Sequence, residues 1–318
     1  MNPATTNTPG PRTGLIPVIP PGPGPGAQSA PGRVPSRAAP YDAFHTARAR
    51  TTLVARFYAE AMGADHPAEV CASSSCDWPL LGLMTARLRM SPGALLVDAG
   101  CGTGGIGLWL TRALNCRLSG FDLSSVAVTQ ATRRRTRFGL HSGRAAFHIA
   151  DLEHPGLTLA SAAGIICVDA LGRVTDRDAA VHELGRALAP GGRLLLTRAV
   201  RSGTAPTWEE QARAAGLMVE HVDERPGEPG MWQRLYRLWI THADRLRAEV
   251  GEVPARHMLE EAHRMLPTLS GRRAVLLTLR RPPADPPGSG RAVAGAAGTM
   301  SPTGEPDARP AAPERTPL

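Results

Sequence analysis

Acidic and glycine residues come together in "VDAGCGTGG", residues 97–105. Asp98 directly precedes a turn that contains Gly100, Gly102 and Gly104. Glycines permit a sharp turn and let a ligand approach the backbone closely. A second acid, Asp122, follows Gly100 by 22 residues, a spacing that suits recognition of a ribose diol. The pattern predicts a ligand that carries a positive charge and a ribose.

Two classes of nucleotide could use such a turn, and Asp98 separates them. A dinucleotide would share the glycines and Asp122, but its diphosphate beside Asp98 is a like-charge contact that costs about 1–4 kcal/mol at 4 Å. S-adenosylmethionine carries an ammonium, a sulfonium and a ribose. The sequence therefore favours S-adenosylmethionine over a nicotinamide dinucleotide.

The elements that must position these residues alternate along the chain from residue 95. Short apolar runs such as "ALLVDAG" and "AGIICVDAL" are typical of buried parallel strands, and helical patterns separate them. Asp98, Asp122 and Asp151 end the first three predicted strands, and Asp169 ends the fourth. This alternation predicts an α/β fold, a parallel sheet with helices on both faces.

Two helical segments fall outside the alternation. Residues 41–90 precede the first strand, and residues 231–270 separate the last two strands. Eight of the 13 aromatic residues lie in these segments, and we expect the segments to roof the ligand cleft. Eleven of the 30 prolines lie in residues 1–40 and nine in 282–318, so we expect two disordered tails around one domain, 41–281.

Four stretches in order, "VDAGCGTGG", "GFDLS", "ADLEH" and "LAPGGRLLLT", resemble the signature motifs of class I S-adenosylmethionine-dependent methyltransferases of the small-molecule type. The resemblance covers residues 95–281. It implies a Rossmann-like seven-stranded sheet whose last strand is antiparallel.

Carried over position by position, the resemblance implies a set of cofactor-binding residues. Asp98 and the loop after it would hold the amino-acid end, Asp122 the ribose hydroxyls, and Asp151 the adenine amino group. Leu123 and Leu152 would lie beside the adenine. The full set is Asp98, Ala99, Gly100, Cys101, Gly102, Gly104, Asp122, Leu123, Asp151 and Leu152.

Methyl transfer from a sulfonium depends on placing the nucleophile, and it needs a base only when the acceptor must lose a proton. Asp169 is the candidate base, and a turn or helix cap is its alternative role. His45, His154 and His182 are further bases, each with an alternative role at the surface or in packing. Acidic and histidine residues also occur at 148–154, at the end of a predicted strand. Their side chains point in different directions there, so we expect no metal site.

The overall composition gives only general indications about binding partners and cellular location. The chain has 318 residues with a formal charge of +8, and every basic residue is arginine. This skew suggests coding bias rather than a nucleic-acid partner. No apolar run is long enough to span a membrane, and five scattered cysteines suit reduced thiols in the cytoplasm. The oligomeric state is not readable from the sequence.

These patterns predict an enzyme of secondary metabolism that methylates a small, rather hydrophobic acceptor. Oxygen is the favoured acceptor atom, with nitrogen and carbon as alternatives. Two other functions stay open: an RNA methyltransferase, and a protein that binds S-adenosylmethionine without catalysis.

Overall fold

A mixed β-sheet forms the centre of the protein, whose computed structural model describes residues 37–284. The strands are β1 (Leu95–Ala99), β2 (Arg117–Asp122), β3 (Ala145–Ile149), β4 (Ala162–Cys167), β5 (Leu188–Arg201), β6 (Met218–Glu224) and β7 (Arg272–Arg280). Their order across the sheet is β3-β2-β1-β4-β5-β7-β6, and β7 runs antiparallel to both of its neighbours. The predicted seven-stranded α/β sheet with an antiparallel last strand is confirmed.

Helices cover both faces of the sheet and extend beyond it. They are α1 (Ala39–Arg48), α2 (Leu53–Met62), α3 (Trp78–Leu88), α4 (Gly105–Ala113), α5 (Ser125–Arg134), α6 (Arg177–Ala187), α7 (Trp208–Ala214), α8 (Glu228–Thr241), α9 (Ala243–Val250) and α10 (Glu252–Met265). Side chains cap several of their first turns: Asp77 accepts a hydrogen bond from Leu80 N, and Ser124 Oγ accepts one from Ala127 N. Asp77 therefore caps the first turn of α3.

Strands β1 and β2 are parallel and in register, which brings their carboxyl ends together. Asp98 lies opposite Gly120, and Ala99 opposite Phe121. Strand β3 pairs with β2 up to Ile149, so it ends two residues before Asp151. Residues 150–152 leave the sheet beyond that edge. The ends of the first three strands thus surround one hollow, as ligand sites in open parallel sheets require.

A separate apolar cluster holds α1 and α2 against α8, α9 and α10. Tyr58 of α2 packs edge-on against Trp232 and Trp239 of α8, with ring centroids 6.3 and 6.5 Å apart. We call these five helices the lid. The lid joins the segment before β1 to the segment between β6 and β7, as the sequence predicts.

The lid helices extend a little past the sequence-based limits, because α1 begins at Ala39 and α8 begins at Glu228. The predicted tails, 1–40 and 282–318, lie mostly outside the described residues. No helix in residues 37–284 is long and apolar enough to cross a membrane.

Candidate cofactor and acceptor site

The turn after β1 is held in a conformation that requires glycine. Gly100, Gly102 and Gly104 have φ angles of 72°, 52° and 75°, in the left-handed region that favours glycine. The backbone N–H groups of Gly100 and Cys101 both donate to the carbonyl of Phe121 at 2.9 Å. A Cβ on Gly100 would lie 2.4 Å from Ala170 Cβ. The turn is thus folded tightly against β2 and the loop after β4.

Asp122 fastens the end of β2 to this turn. Its Oδ2 accepts a hydrogen bond from Gly102 N at 2.8 Å, and its Oδ1 accepts one from Ser124 N at 2.9 Å. A carboxylate has about four lone-pair directions, so both oxygens keep the capacity to accept from hydroxyl groups. Asp122 lines the large cavity beside the turn. Its geometry suits a ribose diol.

Asp98 is placed differently from Asp122. Its side chain is 3% exposed and is not among the residues that line the cavity. Its Oδ2 accepts a hydrogen bond from Gly107 N at 3.1 Å. Burial raises the pKa of Asp98 to about 7, the hydrogen bond from Gly107 opposes that rise, and the charge of Asp122 adds to it. Asp98 lies behind the turn and supports the start of α4.

The residues predicted from the sequence fall into two groups, those that line the cavity and those that lie behind its wall. The structure brings eight of them together on the cavity wall: Gly100, Cys101, Gly102, Asp122, Leu123, Asp151, Leu152 and Asp169. Three stand behind that wall: Asp98, Ala99 and Gly104. Their direct contact with a cofactor stays a prediction.

Asp151 lies at the rim of the cavity beside α1. Its Oδ2 accepts from Arg37 Nη1 at 3.1 Å, and its Oδ1 accepts from Glu153 N at 3.0 Å. Arg37 also donates to Glu153, again at 3.1 Å. The residues just before α1 thus contact the loop after β3 at this side of the cavity.

Asp169 follows β4 in a left-handed backbone conformation, with φ at 55°. Its Oδ2 accepts from Ser75 N at 2.6 Å, and its Oδ1 accepts from Thr197 Oγ1 at 2.9 Å. Left-handed backbone at a non-glycine residue is strained and is common at functional sites. Both oxygens already have one partner, so Asp169 is a fixed carboxylate on the cavity wall that also joins two loops.

The cavity has a volume of about 1060 Å³ and extends from the glycine turn to the lid. Six aromatic side chains of the lid line it: Tyr41, Phe44, Tyr58, Trp232, Tyr236 and Trp239. Two other aromatics of the predicted roof do not, because Phe57 is buried in the lid core and Trp78 packs on Trp109. Cavities of this size accommodate a nucleoside together with a second molecule.

His45 of α1 lies over the glycine turn. Its Cε1 is 3.9 Å from the point where a Cβ of Gly102 would stand, and its buried Nδ1 has no hydrogen-bond partner among the described residues. Burial lowers the pKa of His45 to about 4; the charge of Asp122 opposes this shift. His45 is therefore neutral near pH 7. His154 and His182 instead line a separate surface depression.

Sequence reasoning missed a buried ionic group under the lid. Glu228 is 4% exposed; its Oε1 accepts from Arg272 Nη2 and from Trp232 Nε1, both at 2.9 Å. Its Oε2 has no partner among residues 37–284. Burial raises the pKa of Glu228, and the charge of Arg272 opposes that rise. Only proximity in the fold joins Glu228, at the start of α8, to β7, so no local motif could reveal the pair.

The residues of this site suit an adenosyl cofactor, even before any comparison with other proteins. The turn leaves no room for side chains at Gly100, while Asp122 offers carboxylate lone pairs beside it. His45 lies over the same turn, and its Nδ1 has no partner among the described residues. In the part of the chain that the structure describes, no three His, Cys, Asp or Glu side chains cluster as metal ligands would.

Comparison with protein families gives one match. Residues 96–192 match a family described as a methyltransferase domain. The matched segment runs from β1 through α6 to the beginning of β5, and it includes the glycine turn, Asp122 and Asp169.

Curated relatives resemble part of the chain. Methyltransferase GfsG of Streptomyces halstedii is 33% identical over 149 residues, which are 44% of this chain and 52% of that protein. An O-methyltransferase of Pyrenophora dematioidea is 29% identical over 138 residues, 42% of this chain and 51% of that protein. The chain spans about half the length of the curated relatives it matches.

Solved structures share the fold. The [4+2]-cyclase SpnF superposes with a TM-score of 0.57 at 23% identity, covering 64% of this chain and 80% of that one. A methyltransferase of Geobacter sulfurreducens, solved with S-adenosylhomocysteine, gives a TM-score of 0.53 at 19% identity, covering 70% and 97%. At these identities the likeness establishes the fold, and one fold serves more than one reaction.

Proposed function

We propose that this chain, a class I S-adenosylmethionine-dependent methyltransferase by its domain and fold, methylates a small, fairly hydrophobic acceptor. The observation that carries the proposal is the bond from Gly102 N to Asp122 Oδ2, which joins a glycine turn to a carboxylate on one cavity wall. A nucleoside with a ribose diol suits that pairing.

In this proposal different residues bind different parts of the cofactor. Asp122 accepts hydrogen bonds from the ribose hydroxyls, and Asp151 with Leu123 and Leu152 holds the adenine. Gly100 to Gly102 let the amino-acid end approach the backbone. Asp98 acts from behind the turn as a positioning residue, because its carboxylate supports Gly107 rather than the cavity. S-adenosylmethionine, when bound, supplies a methyl group on a cationic sulfur.

The lid supports a small, largely apolar acceptor. Six aromatic side chains line its part of the cavity. Closing such a roof excludes water and holds the nucleophile near the methyl carbon, which is the main requirement of this reaction. We assign the acceptor to this side of the cavity.

The finer assignments are oxygen as the acceptor atom, a role in secondary metabolism, and Asp169 as the base. A relative that is named an O-methyltransferase supports the first. Asp169 lines the cavity and is held by Ser75 and Thr197 in one orientation, which suits a base that takes a hydroxyl proton. Nitrogen and carbon acceptors are the alternatives.

Calorimetric titration with S-adenosylhomocysteine tests the cofactor site. We expect wild type to bind in the micromolar range, Asp122→Ala to bind at least about tenfold more weakly, as loss of a charge-assisted hydrogen bond requires, and Asp65→Ala to match wild type. Asp65 is an exposed acid outside the cavity. Unchanged affinity in Asp122→Ala, or preferred binding of a nicotinamide dinucleotide, would refute the site.

A second measurement separates a transferase from a binding protein. The enzyme is incubated with S-adenosylmethionine and a panel of phenols and aliphatic alcohols, and S-adenosylhomocysteine release is followed. Acceptor-dependent release supports the proposed reaction. Tight cofactor binding without release, or methylation of RNA with a steep salt dependence, would favour the alternatives.

A further inference from the structure

Arg48 is a cation on the cavity wall that faces no carboxylate within the described residues. It is the last residue of α1, is half-buried and lines the cavity. Its Nη2 donates to Cys71 O at 2.8 Å and contacts Cys71 Sγ at 3.5 Å. Within residues 37–284 it has no other hydrogen-bond partner and no carboxylate at ion-pair distance. A guanidinium has five N–H donors, so most of those of Arg48 are available.

The other arginines of the cavity differ from Arg48 in their partners or in their position. Four of them face carboxylates at 2.9 to 3.6 Å: Arg37, Arg173, Arg225 and Arg272. Three more lack such a partner among the described residues, but they belong to α6, β5 and α10: Arg177, Arg198 and Arg264. Among the arginines without a carboxylate partner in residues 37–284, Arg48 belongs to α1, the helix that covers the glycine turn.

Helix geometry places Arg48 beside that turn. It follows His45 by three residues, so the two side chains share one face of α1. His45 lies over Gly102. Arg134 is also near, because it donates to Thr103 O at 3.0 Å and to Val70 O at 2.8 Å, and Val70 directly precedes the Cys71 carbonyl that Arg48 contacts. Two guanidinium groups therefore adjoin one end of the turn.

Arg48 and Arg134 bring positive charge to this side of the turn, and Asp122, bonded to Gly102 N, is the carboxylate beside it. Glu69, an acid near Arg134, is already paired with Arg112. Half-buried cations without a counter-charge are costly, and an anionic ligand removes the cost. The proposed cofactor has one anionic group, the carboxylate of its amino-acid part.

We infer that Arg48 binds the carboxylate of the cofactor's amino-acid end, so that cofactor binding fixes the lid over the glycine turn. The inference rests on the proposed function. Arg48 is thereby a specificity-determining residue that separates the complete cofactor from nucleosides without a carboxylate. Its bond to Cys71 O leaves Nε and Nη1 for this contact.

The test compares ligands that differ only at the carboxylate. S-adenosylhomocysteine and 5′-deoxy-5′-(3-aminopropylthio)adenosine share the adenosine, the thioether and the amine, but the second lacks the carboxylate. Calorimetry on wild type should show tighter binding of S-adenosylhomocysteine by about tenfold or more, the effect of one charge-assisted hydrogen bond. Equal affinities would overturn the inference without any variant.

Variants then assign that preference to Arg48. Arg48→Met keeps much of the apolar stem and should abolish the preference, weakening S-adenosylhomocysteine about tenfold while changing the other ligand less than about twofold. Arg48→Lys should restore part of the preference. Arg50→Met, which removes an exposed charge just after the same helix, should behave as wild type.

The outcomes separate the inference from the proposed function. If Arg48→Met weakens both ligands equally, Arg48 only holds the Cys71 loop and the inference is wrong. If neither ligand binds wild type, the adenosyl site itself is wrong. Circular dichroism of each variant shows that it is folded, and the comparison on wild type stands even where Arg48→Met does not fold.

Discussion

Asp98 and Gly107 are bonded across the glycine turn: Asp98 Oδ2 accepts a hydrogen bond from Gly107 N at 3.1 Å. The end of β1 is thereby joined to the first turn of α4, where helix N–H groups have no partner in the helix. A Cβ on Gly107 would lie 2.6 Å from the same oxygen. The contact is therefore close, and it fixes the glycine turn from the side away from the cavity.

Burial of Asp98 should make stability depend on pH. Its folded pKa of about 7 lies above the usual value of 3.8. The stability contributed by protonated Asp98 is thus fully present below about pH 4 and is lost as the pH rises through 7. Relative to Asp98→Asn, wild type should lose on the order of 3 kcal/mol between pH 5 and pH 8.

Urea denaturation of both proteins at several pH values measures this difference. Asn can still accept the bond from Gly107, so the variant removes the titration and keeps the contact. Parallel stability profiles for the two proteins would contradict the prediction.

Gly100→Ala should be more destabilising than a matched glycine change elsewhere. Gly100 and Gly139 have similar φ angles of 72° and 67°, but a Cβ on Gly139 meets nothing within 4 Å. Both variants incur the left-handed backbone penalty, about 1–2 kcal/mol. Gly100→Ala also forces Ala170 to move, which adds about 1–3 kcal/mol.

Thermal unfolding compares the two variants, and calorimetry with S-adenosylhomocysteine shows whether the displaced turn still binds. We expect weakened binding in Gly100→Ala and wild-type binding in Gly139→Ala. Equal stability losses would mean that the loop after β4 moves aside for the added methyl group at little energetic cost.

Local patterns predicted the sheet because each strand has a recognisable apolar pattern within a few residues. "LLVDA" is largely apolar and is followed by glycines. Asp98, Asp122 and Asp169 lie at or near the carboxyl ends of β1, β2 and β4, which parallel pairing must bring together. Side-chain direction is not a local property. Whether Asp98 faces the cavity or α4 depends on the helix packed behind it, so the sequence could not separate its role from that of Asp122.

Contacts between distant segments were likewise not predictable. The run "RRRTR" at residues 133–137 is typical of a solvated helix face. In the structure, half-buried Arg134 donates to Val70 O at 2.8 Å and to Thr103 Oγ1 at 2.8 Å. Its partners lie 64 and 31 residues away, a distance over which no spacing rule operates.

Docking of α1 should depend on Asp42. Asp42 Oδ1 accepts from Ser124 Oγ at 2.5 Å and from Val126 N at 3.3 Å, which joins the lid to the start of α5. Asp42→Ala should speed amide exchange in α1 and weaken S-adenosylhomocysteine about two- to tenfold, because opening of the lid competes with binding.

Hydrogen exchange followed by mass spectrometry reads both α1 and, as an internal reference, the central strand β4. Faster exchange confined to α1 is the expected result. Asp65→Ala is the control, since Asp65 is exposed and lies outside the cavity. Unchanged exchange in Asp42→Ala would show that the apolar core of the lid alone holds the helix.

Asp169→Asn should separate catalysis from structure. Asparagine can accept from Ser75 N through its oxygen and donate to Thr197 Oγ1 through its amide, so both loop contacts are kept. It cannot take a proton. With an acceptor found in the phenol and alcohol panel, kcat should fall about 10²–10⁴-fold, while S-adenosylhomocysteine affinity and unfolding temperature stay near wild type.

Thr197→Val, which removes the hydroxyl and leaves the carboxylate, should lower kcat less. If Asp169→Asn retains activity while Asp169→Ala loses both activity and stability, Asp169 is a structural link. Glu228, whose Oε2 has no partner within residues 37–284, then becomes the next carboxylate to test as the base.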